Sequence, residues 1–299
     1  MISQLVFSVA VLAGFGWQPT FTEPSDVVLN QPVVALVTHS SFAFDPLGVT
    51  RVGTRQTVSR MKRAGYPVVY LHDRHNVGNP FWLYLYDDWR PTAYVRSDIG
   101  HVRLNFGPAR HVVCLGGFFG QCERATVHDV VRTWYGSGQQ QLRITQITDA
   151  VYTIVQHVTS DDHWAASVRG RLRELRQRNP NAAMSLDEML MLIGNPEGVV
   201  RCLQRQLPQL PPDVNVVMDV FGRGQVLQVA GPNARTLVFA YRRSDGFLNT
   251  TGPSADFSGP RSVWTPPDGW QGPVSSADPG FEPAVSPTFS RRGSGFSNR

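Results

Sequence analysis

The sequence predicts an α/β protein: a doubly wound, mostly parallel sheet in a three-layer, Rossmann-like arrangement, with a C-terminal α+β extension and a disordered tail. Three observations lead there. Val33–His39 (VVALVTH), Pro67–Asp73 (PVVYLHD) and His111–Leu115 (HVVCL) are continuous apolar, β-branched runs, the pattern of strands buried on both faces. A helical repeat, Thr54–Ala64, separates the first two, so strand, helix and strand form a βαβ unit with a right-handed crossover. From Asn249 onward the chain is rich in Pro, Gly and Ser with isolated aromatics, too little apolar surface to offset chain entropy.

The elements follow in order. Residues 1–30 form an apolar N-terminal segment. Ile2–Trp17 has the hydropathy of a signal h-region, but no Lys or Arg precedes Arg51 and no clear small-x-small cleavage site follows; a strand or helix packed on the core is the competing reading. Residues 31–158 form the α/β domain. In its first helix Val58 and Met61 share a side and Gly65 supplies the stop. Phe81–Trp89 (FWLYLYDDW) fits either a strand or a short amphipathic helix, Pro91–Val95 a third strand, and His101–Phe106 alternates weakly. His111–Leu115 runs into Gly116-Gly117 and then a helix from about Cys122 to Trp134, with Val127, Val130, Val131 and Trp134 on its buried face. Leu142–Ile147 is a further strand, ending at Thr148-Asp149.

Residues 159–248 read as a helical segment plus a β-meander, either an added subdomain or an extension of the sheet. His163–Arg178 is amphipathic, Ser185-Leu186-Asp187-Glu188 is a capping box opening a helix that Gly194 ends, and Pro196–Leu207 is another helix. Val214–Phe221, Gln225–Ala230 and Thr236–Tyr241 then read as three antiparallel strands. Residues 249–299 are the disordered tail, and no internal repeat of solenoid period is present.

Composition narrows the function. The 299 residues are 41% apolar, enough for one large core or two small ones. No apolar run reaches the roughly 18–20 residues that span a bilayer, so no membrane span is expected. The net charge of +5 weakly favours anionic partners. The densest basic stretch, Arg169 to Arg178, reads as a solvated helix face, so no nucleic-acid partner is expected; a small-molecule ligand and self-association are compatible with the fold. Lys62 is the one lysine. Three cysteines, Cys114, Cys122 and Cys202, form no CxxC pair. This argues against a disulfide framework and fits a reducing, cytoplasmic setting, with export through an atypical signal as the alternative.

The sharpest constellation is Gly116-Gly117-Phe118-Phe119-Gly120-Gln121-Cys122, between a buried strand and a helix. Open α/β sheets bind ligands at the carboxyl ends of their strands. A cysteine in the first helical turn feels the positive end of the dipole, which favours thiolate. Backbone N–H groups of the turn, around Gly116, Gly117 and Gln121, are candidates to hold an oxyanion. The competing reading is a buried cysteine packing as a small hydrophobe.

This stretch resembles the cysteine hydrolase (isochorismatase-like) superfamily, which includes nicotinamidases. In that family a strand ends in Gly, the nucleophilic Cys follows six residues later, a Thr four after that and an Asp three beyond. Gly116, Cys122, Thr126 and Asp129 match the spacing. Thr148–Val151 (TDAV) resembles the end of the family's next strand, and Val33–Asp73 lies where the family places its first two. The resemblance covers roughly residues 33–155 and implies a thiol hydrolase of an amide or C–N bond, with Cys122 as nucleophile. Two departures stand against it. The family's general base is an Asp at the end of strand one, where this chain reads Val37-Thr38-His39-Ser40-Ser41-Phe42; His39 is the available substitute, since imidazole titrates near neutrality. The family's Lys near strand three is missing; Arg96 lies nearest the place and keeps the charge without shuttling protons. These losses make a catalytically inactive relative, acting as a binding or assembly module, the alternative function.

Asp73-Arg74-His75 resembles the Asp-x-His that begins the nicotinamidase metal site. Asp73 and His75 suit a divalent ion, with His101 the candidate third ligand, but a polar cap on the strand end is the simpler reading of the pair. No cofactor is otherwise expected.

Overall fold

The computed structural model describes residues 21–22, 31–40, 45, 48–73, 91–105, 107–153, 174, 177, 184–193 and 196–248, all within one compact unit. The N-terminal apolar segment (apart from Phe21–Thr22), the Phe81–Trp89 run, His75, Gly194, the tail from Asn249 and nearly all of the Arg-rich stretch lie outside the described residues.

In chain order the elements are β1 (Phe21–Thr22), β2 (Val33–Thr38), α1 (Arg51–Arg63), β3 (Val68–Asp73), β4 (Ala93–Ser97), β5 (His111–Gly116) and α2 (Cys122–Gly136). Then come β6 (Gln141–Ile147), β7 (Tyr152–Thr153), β8 (Met184–Ser185), α3 (Leu186–Ile193), α4 (Pro196–Gln204), β9 (Val214–Val220), β10 (Arg223–Gln228) and β11 (Arg235–Arg242). One nine-stranded sheet has the order β1-β4-β3-β2-β5-β6-β11-β9-β10, and β7 and β8 form a separate antiparallel pair. Every neighbour pair in the large sheet is parallel except β9 with β10. This is the mostly parallel, three-layer α/β architecture that the sequence predicts.

The two sheet faces bury separate cores. Ala35, Val37, Val68, Tyr70, Val113 and Leu115 pack with Val58 and Met61 of α1. Val34, Leu36, Val69, Leu71, Val112 and Cys114 pack with Val127, Val130, Val131 and Trp134 of α2, joined by residues of α3 and α4. Successive strand residues point to opposite faces, so strands covered on both sides are apolar throughout. Ser185 opens α3 as the capping-box pattern requires: Ser185 N–H donates to Glu188 Oε2 at 2.9 Å, and Glu188 N–H to Ser185 Oγ at 3.2 Å.

The C-terminal strands differ from a meander. β9 and β10 are an antiparallel hairpin, but β11 is inserted between β6 and β9 and runs parallel to both. Burial explains the order. Leu237, Val238, Phe239, Ala240 and Tyr241 are all buried, so β11 needs cover on both faces and a neighbour on each side. β10 has no buried residue and takes the edge, the place that tolerates solvent on an unpaired flank.

Trp134 is fully buried where α2 meets the sheet. Trp134→Ala is expected to cost about 3–5 kcal/mol, read as a lowered urea midpoint at unchanged slope; a loss within the error of the extrapolation contradicts this packing.

Candidate functional site

The C-terminal ends of β2, β3, β4 and β5 lie side by side, and every described candidate residue sits on this edge or on the first turn of α2. Gly116 ends β5 at φ 76°. Only glycine fits there, because a Cβ would collide with the Thr38 carbonyl oxygen of the neighbouring strand. Gly117 follows, with its carbonyl accepting from Tyr152 N–H at 3.2 Å. Gln121 is the N-cap of α2 and makes no side-chain capping bond.

Cys122 is the first helical residue and is only 4% exposed. Its Sγ accepts from Phe118 N–H at 3.0 Å, and the backbone N–H groups of Glu123 and Cys122 also face it. Burial pushes the thiol up to about 12, opposed by Phe118 N–H, reinforced by the Glu123 carboxyl and opposed again by the Glu123 and Cys122 N–H groups. The helix dipole that the sequence suggested as an activator is thus outweighed by desolvation. Among the described residues no hydrogen bond joins the sulfur to His39, Asp73 or Arg96, and the carboxyl that acts on it is that of Glu123.

Those three residues have other surroundings. His39 follows β2 at φ 45° and is 3% exposed. Its Nε2 meets Ser97 Oγ at 2.6 Å. Burial lowers the imidazole to about 4, with Asp73 opposing and His72 assisting, so it is neutral at physiological pH. Asp73 ends β3 opposite Ser97, and Arg96 pairs in register with His72. Arg96 is exposed while Ser97 is buried; the side chain delivered to the β4 edge is a hydroxyl, and the expected cation is one position away. Among the described residues no three His, Cys, Asp or Glu side chains converge to hold a metal. His101 instead places Nδ1 3.0 Å from Asp129 Oδ2.

The Thr and Asp of the motif have structural duties. Thr126 Oγ1 lies 2.9 Å from Gly100 O and 3.0 Å from Cys122 O, sharing its single proton between two carbonyls. It therefore accepts from Thr38 Oγ1 at 3.0 Å. Asp129 Oδ2 accepts Val102 N–H at 2.9 Å as well as facing His101. Together they dock the 98–102 turn against α2. Gly100, at φ 90°, permits that approach, since a Cβ would collide with the Cys122 carbonyl.

Two residues of the site were missed from sequence. Ser97 carries only a faint signal, the period of two that separates it in facing from Arg96. Glu123 carries none, because Glu in a first helical turn normally lies in solvent as a dipole partner. Here it is 1% exposed and neither carboxyl oxygen has a hydrogen-bond partner among the described residues. Burial pushes it up to about 8; the Gly120 N–H opposes the shift without completing a hydrogen bond. The carboxyl acts electrostatically on Cys114, Cys122 and Tyr241.

No family model and no curated protein matches the chain. Among solved structures, a nicotinamidase from Staphylococcus aureus is similar at 12% identity and a TM-score of 0.33, over 44% of this chain and 94% of that one. An isochorismatase family protein from Desulfovibrio vulgaris gives 10%, 0.33, 56% and 100%. The N-carbamoylsarcosine amidase from Thermoplasma acidophilum gives 16%, 0.30, 50% and 92%. What the site does rests on its own residues.

The buried Glu123 gives a pH signature. Its carboxyl ionises near its ordinary 4.5 in the unfolded chain and at about 8 in the fold. Between those values the fold holds a proton that the unfolded chain has released, so stability falls as pH rises from about 4.5 to about 8 and this contribution levels off above. Glu123→Gln should flatten that part of the melting-temperature profile; an unchanged slope contradicts a protonated, buried carboxyl.

Proposed function

We propose that this chain is a divergent isochorismatase-like protein that has left hydrolysis behind and serves as a binding or assembly module. The enclosed, un-ionised sulfur of Cys122 carries this reading. A thiol hydrolase needs thiolate, a base within reach of it, and room for a carbonyl carbon about 3–3.5 Å from sulfur. Cys122 has a raised pKa, no base bonded to it among the described residues, and 4% exposure. The imidazole nearest the place of the family's base is engaged with Ser97.

The retained motif is understood without catalysis. Gly116 is needed for the strand contact, Thr126 for the three-way hydroxyl contact, Asp129 for Val102 N–H and the His101 side chain, and Cys122 as a small group facing backbone N–H groups. Each of these holds the edge closed, and none requires turnover.

The hydrolase alternative keeps one supporting arrangement, the backbone N–H groups of Phe118, Glu123 and Cys122 directed at the sulfur, donors that stabilise thiolate whenever solvent reaches the site. Iodoacetamide separates the two. With the fold intact, Cys122 should resist alkylation below pH 8 and react only once denaturant opens the chain. Alkylation of Cys122 below pH 8, ahead of Cys114 and Cys202, removes the module reading and restores the enzyme.

A further inference from the structure

We propose that His128 is a proton-selected tie on α2: neutral, it holds Arg124; protonated, it releases Arg124 and fastens the segment after α4 that rests on the Cys122 turn. This tie operates whether or not Cys122 is a nucleophile. One ring nitrogen has two neighbours that make opposite demands. Arg124 Nε–H donates to His128 Nε2 at 3.2 Å. The Gln206 carbonyl oxygen lies 3.3 Å from the same Nε2. A guanidinium only donates and a carbonyl only accepts, while an imidazole nitrogen carries either a proton or a lone pair. The two contacts therefore exclude each other, and the proton on His128 decides between them.

Ordinary helix geometry sets the three groups in place. Arg124 and His128 are four residues apart on α2, so their side chains are neighbours on one face. α4 ends at Gln204, and the chain leaves it by tight turns: Gln206 N–H donates to Leu203 O at 3.0 Å and Leu207 N–H to Gln204 O at 3.1 Å. Those bonds use the amides and leave the Gln206 carbonyl facing α2. The side chain of the same residue stands against the Cys122 turn. A Cβ added at Gly120 would lie 2.8 Å from Gln206 Oε1, and that oxygen is buried with no hydrogen-bond partner among the described residues. Whatever fixes the Gln206 carbonyl also fixes what rests on Gly120.

Charge decides which partner wins in each state. Neutral imidazole favours Arg124, because a hydrogen bond from a cation is stronger than one between neutral groups; this keeps the ring proton on Nδ1. Protonation reverses the order. Nε2–H then makes the charge-assisted bond, to the Gln206 carbonyl, and two cations at i,i+4 repel each other. The fold holds the imidazole below its ordinary range, through burial first and the Arg124 charge second, with the Gln206 carbonyl and Asp129 opposing and His101 assisting. Asp129 is engaged elsewhere, by His101 Nδ1 at 3.0 Å and Val102 N–H at 2.9 Å, with Arg132 3.9 Å away. Among the described residues no carboxylate bonds the His128 ring, so the exchange of partners falls on the acid side of the ordinary histidine range.

Nitrogen-15 NMR of the full chain tests this, because the two ring nitrogens report tautomer and charge separately. At about pH 8 the proton is expected on Nδ1, with Arg124 Nε–H exchanging slowly with water. On titration to acid Nε2 gains a proton, Arg124 Nε–H exchange quickens about tenfold after correction for pH, and the Gly120 and Gln206 amide resonances move with the same midpoint. Arg124→Ala should shift the neutral tautomer to Nε2–H and raise the midpoint by about one unit, while Arg132→Gln leaves the tautomer unchanged; circular dichroism checks that each variant is folded. Three results overturn the inference, and none of them needs a variant: a proton on Nε2 at about pH 8, an Arg124 Nε–H indifferent to the titration, or a Gly120 resonance that does not follow His128. An unchanged tautomer and midpoint in folded Arg124→Ala overturn it as well.

Discussion

One hydroxyl closes the functional edge of this fold. Thr126 Oγ1 touches the side chain that ends β2, the turn that follows β4 and the first carbonyl of α2. Three segments distant in sequence are tied at one buried atom, where each bond is strengthened by the absence of water. The geometry allows no slack: Gly100 and Gly116 are both positions where one added carbon would strike backbone. The sulfur of Cys122 is itself buried, and its raised pKa follows from desolvation rather than from any lack of donors.

The closed edge and the basic helix α1 (RVGTRQTVSRMKR) lie on opposite faces of one sheet, and they divide the molecule's chemistry. On the α2 side, Thr38, Thr126 and Ser97 are buried with hydrogen-bond partners, and Glu123 is held un-ionised by burial. On the α1 side, charge is exposed and concentrated.

Much of this was legible in the sequence, for local reasons. β2, β3 and β5 are continuous β-branched runs, and such runs are stable only when covered on both faces. The capping box at Ser185 and the glycines after β5 announce themselves because few other residues satisfy those backbone demands. The position of β11 was not legible, since hairpin spacing between β10 and β11 looks like a meander whichever strand ends up central. What decides it is that β11 is buried on both faces, a property of the assembled sheet. The site was half legible: the Gly-to-Cys spacing marks the turn, but whether a thiol at a helix start is activated or sealed depends on its burial in the assembled fold. Ser97 shows the same limit, because a shift of one residue at the end of β4 exchanges a cation for a hydroxyl.

The claim beneath this account is that the edge around Cys122 stays closed in the folded protein, and amide hydrogen exchange at Phe118 measures it most directly. That N–H is committed to the sulfur, so a closed edge predicts exchange only through global unfolding, with a protection free energy equal to that of the buried β5 amides and the same dependence on denaturant. Exchange of Phe118 through a local opening, faster than β5 and insensitive to denaturant, contradicts the account, because it shows a mouth that opens onto the thiol while the fold stands.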